Sequence, residues 1–71
     1  MPLAIAPLNV ELKIIRIVNL EEEVKKHLES LGLTINTKLK ILSSSNGNVI
    51  ILIKDFRLAL DSNITRKIFV G

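Results

Sequence analysis

Thr37-Lys-Leu-Lys-Ile-Leu-Ser-Ser-Ser-Asn-Gly-Asn-Val-Ile-Ile-Leu-Ile53 reads as two strands and the turn that joins them. Leu39 and Ile41 alternate with Lys38 and Lys40, the two-residue period of a strand with one wet face. Asn46-Gly47 tolerates positive φ at both central positions of a type I′ turn, a strong short-range hairpin signal. The second arm, Val49–Ile53, is an unbroken apolar run, the pattern expected of a central strand covered on both faces. A tight turn at Lys54-Asp55 leads to a third strand, where Phe56, Leu58 and Leu60 alternate with Arg57 and Ala59. Phe56, like Phe69 further on, is expected in the core.

Working outward from this meander, Val10–Val18 alternates through Val10, Leu12 and Ile14 and then shifts phase at Ile14-Ile15, as a bulged or bent strand would. One helix follows. Asn19 is placed as its cap, with Glu22 three residues on, and three glutamates occupy the first turn, where the helix dipole favours them. Leu20, Val24, Leu28 and Leu31 form one apolar stripe, and Glu21–Lys25 and Glu22–Lys26 are favourable pairs on the wet face. Gly32 stands where a left-handed residue ends a helix. Past the meander, Asp61 or Ser62 caps a short helical turn through Ile64 and Ile68, and Phe69-Val70 supplies a last strand. The fold class is mainly β with one short covering helix, a small SH3-like, partly open β-barrel forming a single domain over residues 1–71.

Composition agrees with this class. Ile, Leu and Val supply 28 of 71 residues, and sixteen of those are β-branched, which suits strands. So small a domain buries only about 60% of its unfolded surface, so the core must be dense. The absence of cysteine excludes disulfides and thiolate metal sites and suits a reducing, cytoplasmic setting. The longest apolar run, Val49–Ile53, is far short of the ~20 residues that span a bilayer, so direct membrane insertion is not expected. The start, Met1 to Leu8, has no basic region and is broken by Pro2 and Pro7, unlike a signal peptide.

The net charge of +3 is unevenly spread. Residues 20–31 carry Glu21, Glu22, Glu23 and Glu29 against Lys25 and Lys26, whereas the remainder sets eight basic groups against Glu11, Asp55 and Asp61. An acidic helix on a basic body favours an acidic partner surface or a phosphate backbone.

No catalytic pattern emerges. His27 is the only histidine and flanks the apolar stripe; Glu23, one turn before it, makes at best a weak metal pair, so no metal ligand and no cofactor is assigned. Ser43, Ser44 and Ser45 have no base at a telling spacing, and no phosphate-binding glycine loop exists. The reading is of a binding protein and not an enzyme. A stand-alone nucleic-acid-binding barrel is the alternative, suggested by the basic body. Single-strand binding leans on exposed aromatic platforms, however, and both phenylalanines are expected inside, so nucleic acid is not the expected partner.

Ala6-Pro-Leu8, His27-Leu-Glu-Ser-Leu-Gly-Leu33, Ser45-Asn-Gly-Asn48, Lys54-Asp-Phe-Arg-Leu-Ala-Leu-Asp61 and Arg66-Lys-Ile-Phe-Val70 stand in an order and spacing that resembles the ferrous iron transport protein A (FeoA) family over almost the whole chain. Where that family has Pro-Gly after the helix, this chain has Ile35-Asn36, and asparagine also accepts a left-handed conformation. Where the family often has a glycine, this chain has Lys54-Asp55, with Asp55 as the substitute. An alanine usual in the last helical turn is replaced near Asn63-Ile64-Thr65. The resemblance implies an SH3-like barrel in the bacterial cytoplasm that serves the ferrous iron transporter FeoB, a membrane protein with a cytosolic GTPase domain. At family level it also carries transition-metal binding, weakly here with one histidine and no cysteine. On this basis the candidate partner contacts are Leu31 and Leu33 around Gly32, and Lys38, Lys40 and Arg57 on outward strand faces. Self-association is left open.

Overall fold

A computed structural model describes all residues, 1–71. The order is a 3₁₀ turn (Leu3–Ile5), β1 (Leu12–Ile17), α1 (Glu22–Ser30), β2 (Lys38–Ser45), β3 (Asn48–Ile53), β4 (Phe56–Leu60), α2 (Ser62–Thr65) and β5 (Ile68–Val70). The five strands form one antiparallel sheet in the order β4-β3-β2-β1-β5. The sheet stays open, with β4 and β5 as its edges, so the partly open barrel read from the sequence is what forms.

The central hairpin forms as its sequence dictates. Asn46 and Gly47 take φ of +53° and +83°, and Ser45 pairs with Asn48 across the two-residue turn. Leu39 and Ile41 are buried and Lys38 and Lys40 exposed. A bulge at Leu42, between the pairs Ile41↔Ile51 and Ser43↔Ile50, bends β2. The expected irregularity in β1 is a bulge at Ile15, between Ile14↔Val70 and Arg16↔Phe69. Past it, the Arg16 guanidinium lies 4.6 Å from the centroid of the Phe69 ring.

Helix α1 ends in a full Schellman motif. Gly32 has φ +92°, its N–H donates to the Glu29 carbonyl at 3.0 Å, and the Leu33 N–H donates to the Leu28 carbonyl at 2.9 Å. Leu28 and Leu33 are both buried, the apolar contact that accompanies this motif. The start differs from expectation. Asn19 does not cap the helix; it takes φ +51° in the preceding turn, and the N-cap is Glu21 with no side-chain cap bond. Asp61 does cap α2, its Oδ1 accepting from the Ile64 N–H at 3.1 Å.

The core gathers Leu12 and Ile14 of β1, Leu39 and Ile41 of β2, Val49, Ile51 and Ile53 of β3, Leu60, Ile68 and Val70, with Leu28 entering from α1. Leu3 and Ala6 also enter it, so the segment before β1 is part of the core and not a mere lead-in. The Asn9 N–H, donating to the Ile41 carbonyl at 2.8 Å, ties that segment to β2. The one buried polar side chain, Thr65, donates its hydroxyl to the Gly47 carbonyl at 2.5 Å and clamps α2 to the hairpin tip.

Three expectations about burial fail. β3 is not covered on both faces, since Ile50 is 41% exposed. Phe56 is likewise 41% exposed at the open end of the sheet, and Phe69 is only half-buried, so neither aromatic is a core residue.

Candidate functional site: the basic outer face of the sheet

The pairing that buries Leu12, Leu39 and Ile51 turns the intervening residues outward. Lys13 of β1 and Lys38 of β2 are direct cross-strand partners, and Lys40, Leu52 and Arg57 form a row across β2, β3 and β4. Lys38 and Lys40, two residues apart on one strand, join these rows into a single stripe. Lys54, in the turn after β3, shares a shallow groove with Glu11, Lys38, Lys40 and Leu52.

Like charges directly opposite on a sheet destabilise it, and Lys13 against Lys38 is such a pair. The offset available is Glu11, whose carboxylate lies 3.8 Å from the Lys38 ammonium with both side chains well exposed, a contact of less than about 1 kcal/mol in water. Five cations therefore surround one carboxylate on this face, with Asp55 in the turn beside Lys54. Leu52 is half-buried, and its direct cross-strand neighbours are the long side chains of Lys40 and Arg57. Ile50, between the short side chains of Ser43 and Ala59, is more exposed.

Of the five residues singled out in the sequence, the fold brings Lys38, Lys40 and Arg57 together on this face. Leu31 lies apart, half-buried at the C-cap of α1. Leu33 is a correction: it is 0% exposed and belongs to the core, so it cannot present its side chain to a partner. Its burial follows from the Schellman turn, which returns the residue after Gly32 onto Leu28. The loop from there into β2 is held by Thr37, whose hydroxyl donates to the Gly32 carbonyl at 2.9 Å and meets the Thr34 hydroxyl at 3.1 Å. This fixes where Lys38 begins the strand.

Sequence reasoning missed Lys13 and Lys54. Lys13 was legible in the alternation Glu11-Leu12-Lys13-Ile14, but its position opposite Lys38 depends on register, which no local pattern carries. His27 is exposed on α1, and no three His, Asp or Glu side chains converge into a metal-sized cluster. No helix is long and apolar enough to cross a membrane.

Comparison with known proteins gives two matches of different kinds. The family model described as the FeoA domain matches residues 1–71. Among solved structures, the crystal structure of an iron uptake regulatory protein (FeoA) superposes with a TM-score of 0.85 at 21% identity, covering 99% of this chain and 93% of that one. No curated protein matches.

Proposed function

The chain belongs to the FeoA domain family, and from that premise we propose that it is a cytoplasmic, non-enzymatic accessory of bacterial ferrous iron uptake that docks on the cytosolic part of the FeoB transporter. The family supports the role in iron uptake. The observation that carries the docking reading is the stripe Lys13–Lys38–Lys40–Arg57, whose mutual repulsion one salt bridge barely offsets. An acidic surface laid against it relieves that repulsion, and the protein acts by binding, biasing the GTPase or the assembly of its partner. Charge of this sort chiefly sets association rate and orientation.

The test is the affinity of the purified chain for the cytosolic GTPase domain of FeoB, with and without Lys38→Glu plus Lys40→Glu. The double variant is expected to bind at least about tenfold more weakly, roughly 1.4 kcal/mol, with an unchanged melting temperature because both side chains are exposed. Equal affinity in a folded double variant would remove the electrostatic basis of the reading.

A second reading is favoured by Phe56, which is exposed at the turn flanked by Lys54 and Arg57 and so offers one stacking platform beside cations. A nucleic-acid-binding barrel would retain a labelled single-stranded oligonucleotide at low salt and release it steeply as salt rises.

A further inference from the structure

The two edges of the sheet are finished differently. Along β5, the Met1 amino group donates to the Val70 carbonyl at 2.9 Å, the Val70 N–H donates to the Met1 carbonyl at 2.8 Å, and Pro2 bridges to Phe69. Along β4 nothing comparable lies. Ile53 and Phe56 flank a two-residue turn and pair directly, so the hydrogen-bonded positions facing β3 are Phe56, Leu58 and Leu60. Arg57 and Ala59 therefore turn their N–H and C=O groups away from β3. No loop, terminus or side chain bonds to residues 56–60. An open edge of this kind is a template for one more strand.

We propose that the β4 edge accepts an extended apolar peptide carrying one carboxylate, added as a sixth, antiparallel strand. The side chains at the edge specify that pattern. Outward, Arg57 is exposed with Lys40 further along its row, which calls for an acid opposite Arg57. Ala59 is small and exposed beside Ile50, and both line a groove with Ser43, which calls for an apolar side chain opposite Ala59. On the inner side, exposed Phe56 and half-buried Leu58 gain cover from apolar residues.

A second copy of β4 fits less well. Pairing Arg57 with Ala59 of the copy sets Asp55 against Asp61 at both ends. Pairing Arg57 with itself opposes two guanidinium groups. Pairing Ala59 with itself needs the Asp61 carbonyl, which already accepts from the Ile64 and Thr65 N–H groups. This peptide contact does not rest on the docking proposed above: backbone groups of the edge carry it, and of the basic stripe only Arg57 takes part, selecting the acid.

The experiment uses the whole chain, isotope-labelled, titrated with the capped peptide Thr-Lys-Val-Val-Val-Asp-Val-Lys-Thr, which places aspartate opposite Arg57 and lysines opposite Asp55 and Asp61. The Arg57 and Ala59 amides are expected to shift and to exchange more slowly with solvent. A peptide with lysine in place of aspartate is expected to bind at least tenfold more weakly. A peptide N-methylated at the two residues facing Arg57 and Ala59 is expected not to bind, and that control needs no variant protein. Ala59→Pro removes the same outward N–H and is expected to abolish binding where it folds. Shifts elsewhere, or binding indifferent to N-methylation, would overturn the proposal. So would a dimer of the chain alone that Ala59→Pro dissolves, since a second copy would then own the edge.

Discussion

Four of the six asparagines, Asn9, Asn19, Asn36 and Asn46, take positive φ, and they mark turns around which the chain reverses. Asparagine visits this region because its short polar side chain can bond locally, where most residues lose about 1–2 kcal/mol. The same chemistry explains a misreading. An asparagine just before an acidic, periodic segment fits either a helix cap or a left-handed turn, and at Asn19 the turn wins. Asn36 takes φ +75°, as its place in the FeoA-like Pro-Gly position required. In the next tight turn the positive φ falls on Lys54, at +52°, and not on Asp55 as the sequence comparison implied. Lys54→Gly should therefore stabilise the fold by up to about 1 kcal/mol, as strain relieved exceeds entropy lost; urea unfolding would show it, and a loss of stability would mean that Lys54 is unstrained. The two turn glycines should respond unequally. An added Cβ at Gly32 meets nothing within 4 Å, whereas at Gly47 it comes within 3.0 Å of the Ser62 Cβ, at the contact that Thr65 clamps. Gly32→Ala is expected to cost about 1 kcal/mol and Gly47→Ala clearly more. Equal midpoints would show that α2 yields freely.

Among the elements, β3 shows how far a hydrophobic pattern can be read. The run Val49–Ile53 correctly announced a central strand, because only a strand with two neighbours spends so many β-branched residues. It did not reveal that one face lacks a cover, since apolar residues such as Ile50 also lie on the outer face. The difference is measurable within one strand. Ile51 is fully buried and Ile50 is not, so Ile51→Ala should cost about 2–5 kcal/mol and Ile50→Thr under about 1. Thermal or urea unfolding of both variants compares the faces directly, and a large loss at Ile50 would mean that something covers it in solution. The hairpin, the bulge in β1, the C-terminal turn of α1 and the Asp61 cap were legible because each is local chemistry. Leu3 was not, because a short apolar stretch between two prolines carries no period; its burial comes from folding back against the finished sheet.

For the molecule as a whole, the decisive property is the segregation of charge. The excess of base over acid outside α1 was plain in the sequence, but only the register gathers Lys13, Lys38, Lys40 and Arg57 on one surface. Lys38, Lys40 and Arg57 lie there because strand alternation places them outside. Leu33 was lost to the core because Gly32 reverses the chain inward, a consequence that spacing along the helix stripe does not convey. A surface of one sign also orients the protein in a partner's field before contact, so association should slow as salt rises.

The most direct test of docking is a two-dimensional NMR titration of the labelled chain with the cytosolic GTPase domain of FeoB. The expected result is a set of shifts confined to one contiguous face, with the amides of Lys13, Lys38, Lys40, Leu52 and Arg57 moving and those of α1 still. No shifts at high partner concentration, or shifts confined to α1, would contradict docking through the basic face.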